Sequence, residues 1–473
     1  MGRWQARAVA KPGIAGYDLP YWLDFERPTY PALTGNHTTD VVVVGAGISG
    51  LKVADYLTGH GLACVILEAR QVGQGASSRN QGCIVTGLGS PYGELVEQTS
   101  RHTARSLVGL SHFNQKLLCK QIESHGIACD YEVLGETGLA FADLSPADVL
   151  EAMRRDARLL TEDGFRAEFL DADEVRAITD TTLFHGGLRL PDDAQFHSGR
   201  FVIGLGAAVA REASVFEGSP VISLARDGNV HKVCTPHGVV RAEHLFIATN
   251  ALVPQLLPAL TTTLRAERGQ VLVTEPLPTR PCSGCYSAGI AWWRDIREAD
   301  GRYRLLFGGG RFRDDADSLF VQYRSDGRRN PRLATAGFSP SVAHQHRLER
   351  HLAQIFPHLA GVPISHRWGG LQSFTYDGLP VIGLLDPINR IHGMAGFSGL
   401  GNSFSNVGAA CLAARIAGTK SEVEERFGDT MALLLAPTRE SAAWPGSEPT
   451  KLRSDSGGLV RLDPKAKAGG PAP

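Results

Sequence analysis

The segment Asp40–Gly50, DVVVVGAGISG, runs four valines into a turn that carries Gly45, Gly47 and Gly50. An apolar run of this kind reads as a buried strand, and the GxGxxG spacing that follows reads as a turn opening a helix, here ISGLKVADYLTGHG. Each glycine then has a separate task. Gly45 allows the tight turn, Gly47 lets the backbone approach a pyrophosphate, and Gly50 lets helix and strand pack closely, while the helix N-terminus offers free N–H groups and partial positive charge. Ala46, Ile48 and Ser49 complete the turn. A second apolar strand, LACVILEAR, ends in Glu68, Ala69 and Arg70, placing an acid 23 positions after Gly45, where it can accept hydrogen bonds from the two hydroxyls of an adenosine ribose. An acid at the strand end argues against a 2'-phosphate. The ligand is therefore FAD or NAD.

The rest of the composition bounds the class. At 473 residues the chain exceeds what one hydrophobic core usually holds, so two consecutive or intertwined domains are expected. Forty-eight basic and 49 acidic residues leave a formal charge of −1 with no basic block, which excludes nucleic acid as a partner. Eight cysteines are too few for a disulfide scaffold and read as reduced thiols. Cys282 and Cys285 have CxxC spacing without the second ligand pair that zinc requires, so no metal is expected. No stretch is long and apolar enough for a signal peptide or a membrane span, so a soluble, cytoplasmic protein is expected.

Along the chain, residues 1–39 lack helical or strand periodicity and read as an arm. From Asp40 the texture is α/β. Helical spacing occupies Glu94–His125, Ala147–Asp163, Glu174–Ile178 and Ser341–Phe356. A β meander follows Phe201 and closes in the strand HLFIATN, which carries Thr249 and Asn250. A second β-rich region runs from Arg268 to about Arg313. From Glu440 the composition is that of a disordered tail, 440–473.

The choice between FAD and NAD rests on the next loop. QVGQGASSRNQG, Gln71–Gly82, is a polar glycine-rich segment with no obvious use in a nicotinamide enzyme. With Gly75, Ala76, Ser77, Arg79 and Asn80 it resembles the corresponding loop of the FAD-dependent amine and amino-acid oxidoreductases, the D-amino-acid oxidase-like family. RWGGLQSFTYDGLPVIG and GMAGFSGLGNSFSNVGAACLAARIAG are similar to that family's closing segments, which enclose the flavin ring. Here the resemblance implicates Gly396, Ser398, Gly399, Leu400, Gly401 and Asn402, and on the adenine side Val221, Thr249 and Asn250. The likeness covers most of Tyr21–Gly418 and is strongest to the gamma-glutamylputrescine oxidoreductase branch, although Leu400 stands where that branch often has His.

The resemblance implies a Rossmann-like FAD-binding domain (40–90, 190–265 and 366–420) of the glutathione-reductase-like kind. It is interleaved with an α+β substrate domain (91–189 and 266–365) built on an antiparallel sheet. It further implies an enzyme: hydride passes from an amine CH–NH group to flavin N5, and water hydrolyses the resulting imine to an aldehyde or oxo product. No Cys lies between Cys285 and Cys411, so the FAD is expected to be non-covalent. Candidate substrate contacts are Trp293, Arg294, Tyr303, Trp368 and Gln372. The strand RYRLLFGGGRF carries Arg302, Arg304 and Arg311 but no lysine of the kind that favours reaction with O2, so O2 and a quinone or other carrier both stand as acceptors. Two further readings remain: an oxidase or dehydrogenase of amino or imino acids, whose carboxylate Arg294 or Arg311 would pair, and an FAD-binding subunit without turnover.

Overall fold

The computed structural model describes residues 19–142, 147–309, 319–320 and 337–435. The first 18 residues of the expected arm, Arg311 and the 440–473 tail lie outside them. The described architecture is mixed α/β, with one largely parallel sheet facing a larger, mostly antiparallel one.

Val41–Val44 and Cys64–Leu67 are buried at every position, as strands covered on both faces must be. They pair in parallel, and Gly238–Ile247 pairs in parallel on the other side. The strand begins at Gly35, five residues before the expected start. Residues 35–40 are exposed or half-exposed and polar, and they pair with Gly238–Ala242 through backbone groups alone, so no hydrophobic pattern announces them. Ser223–Asp227 and Val230–Cys234 extend the sheet as the expected meander, and Val381–Asp386 with Ile391–Ala395 completes it. Two helices cover one face, Ile48–Gly59 and Gly401–Ile416. They are bridged by the fully buried Lys52, whose Nζ donates to Ser405 Oγ at 2.9 Å.

The second sheet runs Leu319–Phe320, Arg265–Thr274, Tyr303–Gly309, Ala291–Arg297, Cys285–Ala288, Glu136–Phe141, Phe184–Leu190, Glu168–Leu170, with Ile364–Phe374 also paired to Arg265–Thr274. Residues 366–374 therefore sit in this larger, mostly antiparallel sheet rather than in the one that carries the glycine turn. Val342–Ile355 packs on its back, where Leu348, Leu352 and Ile355 meet Trp293 and Phe307. The expected helix Glu94–His125 is two, Tyr92–Gln98 and Arg101–His125. Ser100 interrupts it by adopting an extended conformation and capping the second helix through Thr103 N–H.

Two features correct the reading of the termini and thiols. Tyr21–Leu23 forms a tight turn in which Trp22 is fully buried, its Nε1 donating to Asn80 O at 2.7 Å. This part of the arm is a wedge beneath the cofactor loop. Cys83 and Cys285 form a disulfide across 202 residues, so these two are not reduced thiols. A pairing of that separation comes from tertiary proximity, which spacing along the chain does not encode.

Candidate active site

Between the sheets lies a cavity of about 870 Å³. Every predicted cofactor residue lines it except Ala46, Gly50 and Gly396, which lie just behind. Gly45 has φ +105°, and a Cβ there would come within 2.8 Å of Ala248 O. A Cβ at Gly50 would fall 1.9 Å from Gly45 O, so helix and turn touch only because Gly50 has no side chain. Glu68 accepts from Ala46 N and Arg70 N, each at 2.9 Å, and thereby ties the second strand to the turn. Burial pushes its carboxyl upward, opposed by those two N–H groups. Arg70 stacks on Phe338 at 3.8 Å.

The loop Gly75–Gly82 is held from several sides. Ser77 Oγ accepts from Ile48 N at 2.8 Å at the helix N-terminus. Arg79 donates to Gly369 O at 2.9 Å and Phe338 O at 3.1 Å, and Asn80 Nδ2 donates to Ala76 O and Ser77 O. Trp368, fully buried, donates from Nε1 to Arg79 O at 3.1 Å. It props the loop and does not border the cavity. Gln372 does border it. Arg294, proposed from sequence as a substrate contact, is 5% exposed. Its Nη1 donates to Gly82 O and Phe196 O, and its Nε to Asp295 O. Burial lowers its pKa to about 10, so it stays charged at neutral pH. The structure makes it an anchor for the loop's end. Tyr303 lies outside the cavity at a strand end, with Arg280 over its ring at 5.3 Å.

The end of the cavity away from the dinucleotide turn is lined by residues that the sequence reading passed over. Trp293 is 1% exposed and stacks among Tyr286, Phe307 and Phe184 on the sheet's back. Its neighbour Trp292 faces the cavity, its ring lying over Gly308, where a Cβ would meet Cη2 at 2.2 Å. Strand residues alternate faces, so one of two adjacent tryptophans had to point each way, and packing decided which. Glu136 and Ser287 also line this end, with His112 stacked on Phe165 at 5.3 Å and Asp156 accepting from Tyr92 N and Gly93 N. Burial lowers His112 below the usual range, leaving it neutral at pH 7. The signal that could have marked Glu136 was an acid opening the otherwise neutral stretch Glu136–Phe141.

The residues present fit a dinucleotide. Thr249 Oγ1, Asn250 Oδ1 and Ser373 Oγ are buried on the cavity wall without a partner in the structure, as acceptors and donors awaiting a polar ligand. The N-termini of Ile48–Gly59 and Gly401–Ile416 both open onto the same space. Among the described residues no cluster of His, Cys, Asp and Glu is arranged to hold a metal, and no helix is long and apolar enough to cross a membrane.

Known proteins agree with this geometry. The chain is 25% identical over 433 residues to an oxidoreductase, OrdL, of Rhizobium meliloti, covering 89% of this chain and 92% of that one. It is 27% identical over 405 residues to the gamma-glutamylputrescine oxidoreductase of Escherichia coli, covering 82% and 86%. Among solved structures it resembles glycine oxidase from Geobacillus kaustophilus at a TM-score of 0.65 and 20% identity, covering 82% of this chain and 96% of that one. Residues 40–415 match the DAO family of FAD dependent oxidoreductases, and the chain, with FAD as its cofactor, belongs to that family.

Proposed function

We propose that this enzyme oxidises the CH–NH bond of an amine of the gamma-glutamylputrescine type to an imine, which water hydrolyses to an aldehyde or oxo product and a smaller amine. The observation that carries the reading is the charge of the substrate end. Glu136 and Asp156 line it, whereas Arg294, the described cation expected to pair a substrate carboxylate, is committed to backbone carbonyls and stands outside the cavity. Arg311 lies outside the described residues. Among the described residues, the arginines that line the cavity are Arg70 and Arg79, in the cofactor half, and Arg166, paired to Asp192 at 2.8 Å. A carboxylate on the oxidised carbon, as in glycine, sarcosine or pipecolate, would lack the Arg294 partner that such a substrate was expected to use. The E. coli relative's name supports the same substrate class.

Gly45–Gly50, Glu68, the Gly75–Asn80 loop, Val221, Thr249, Asn250 and Gly399–Asn402 would hold FAD without a covalent link. When bound, FAD accepts the hydride that leaves the substrate carbon. The chain supplies orientation and exclusion of water: Trp292, Leu371 and Gln372 wall the chamber, and Arg294 with Trp368 keeps the loop beneath it rigid. The helix N-terminus at Gly401 stabilises negative charge placed against it.

The test is an anaerobic absorbance titration of purified protein with gamma-glutamylputrescine, putrescine, sarcosine, glycine and pipecolate. Bleaching of the flavin band by the first two and not the last three is the expected result. The reverse order would replace this reading with amino- or imino-acid oxidation, and no bleaching would favour an FAD-binding subunit. Admitting air then separates O2 from a quinone as acceptor.

A further inference from the structure

We infer that Glu136 is the residue that selects the substrate, by binding a second cationic nitrogen remote from the carbon that is oxidised. The inference rests on the amine reading above and deepens it.

Position comes first. Gly269 and Val271, on Arg265–Thr274, border the cavity beside the cofactor loop and Gln372. Three strands separate that one from Glu136–Phe141 in the sheet. Four interstrand spacings make about 19 Å across the sheet, too far for one nitrogen to meet both ends. The intervening wall is low: Gly309, Ala291, Ser287 and Gly138 all line the cavity, and an extended chain can lie along them. Glu136, Gly138 and Ser287 share one face, since Ser287 is in register with Gly138 and Glu136 lies two residues before it.

Chemistry comes second. The Glu136 carboxylate accepts from the Ser287 hydroxyl, and among the described residues no cation pairs with it. Behind it sits Asp193, 1% exposed. Asp193 Oδ1 takes both the N–H and the hydroxyl of Thr86, itself a cavity residue, while Oδ2 is buried with no partner. The two acids repel one another, and burial raises both. An acid on the cavity wall, backed by a second buried acid and without a counter-ion among the described residues, is costly to ionise until a cation enters. Asp156, the other acid of the chamber, is already engaged by two backbone N–H groups, so Glu136 is the one with capacity to bind. The class of substrate is thus an extended amine that carries a second, distal cationic nitrogen.

The experiment compares dodecamethylenediamine, whose extended N-to-N span of about 16 Å, together with the reach of the Glu136 side chain, matches the separation across the sheet, with dodecylamine, which shares its chain length and lacks the distal cation. Binding to the holoenzyme is measured by calorimetry, and oxidation by anaerobic flavin bleaching. Wild-type protein is expected to bind the diamine about tenfold or more tightly than dodecylamine, and Glu136→Gln to lose about 10- to 100-fold for the diamine, a loss confined to it, at unchanged flavin content. Glu136→Asp, which keeps the charge on a shorter arm, should recover part of the preference. Equal binding of the two amines by wild type, or an equal loss for both in Glu136→Gln, would overturn the assignment. Diamine binding that depends on Glu136 without bleaching by any amine would leave the assignment standing and sink the amine-oxidation reading. Bleaching that ignores Glu136 would do the opposite. If Glu136→Gln does not fold, Ser287→Ala, which removes the hydroxyl that orients the carboxylate, should show the same selective loss at smaller size.

Discussion

The two ends of the cavity are built differently. The cofactor end is made of backbone: glycines that admit close approach, helix N-termini, and an acid and a serine that hold the turn through N–H groups. The opposite end is made of side chains from strands and helices far apart in sequence, Glu136, Ser287, Trp292 and His112 among them. The first kind of site depends on a short run of residues and tolerates little. The second depends on which face of a strand each side chain takes, so a neighbour in sequence can have an unrelated role.

Substitutions can break or sharpen this contrast. The largest effect is expected at Gly50. Valine there would drive a Cβ into Gly45 O, pushing helix from strand, and FAD affinity should fall more than about 100-fold, leaving colourless protein. The flavin-to-protein absorbance ratio reads it, and a yellow Gly50→Val protein would refute the role given to this turn. Next are the adjacent tryptophans. Trp293→Ala removes a ring from a filled core and should cost about 3–5 kcal/mol in denaturant unfolding. Trp292→Ala should cost about 1 kcal/mol or less and act chiefly on KM for the amine. Matching effects on stability and kinetics for the two would erase the distinction between the faces.

A last comparison sets two buried charges against each other. Glu136 faces the cavity, whereas Lys52 is sealed between helices, bonded to Ser405 and 5.5 Å from the Phe201 ring centroid. Burial lowers Lys52 to about 7 from 10.5. Between those values the unfolded chain holds a proton that the folded one lacks. Lys52 therefore makes stability rise with pH across that window, by up to about 1.4 kcal/mol per pH unit, and contributes no slope below it. Lys52→Met should abolish that slope and raise stability at pH 7 by about 1–3 kcal/mol, without altering amine preference. Unfolding measured from pH 6 to 10 checks the sign, and a slope that survives in the variant would exclude Lys52 as its source.

The sequence by itself determined the dinucleotide turn, the acid at the end of the second strand, the FAD loop and the α/β class. Those features are local, because a tight turn, a helix N-terminus and a strand buried on both faces impose their residue types within a few positions. Only the tertiary structure decided that Trp292 and not Trp293 meets the cavity, that Arg294 and Trp368 bond to the loop rather than line the cavity, and that Cys83 meets Cys285. Only it set Glu136 and Asp193 side by side. Each depends on strand register and on pairings across tens to hundreds of residues, where alternation along a strand leaves two faces equally available until packing against the rest of the chain selects one.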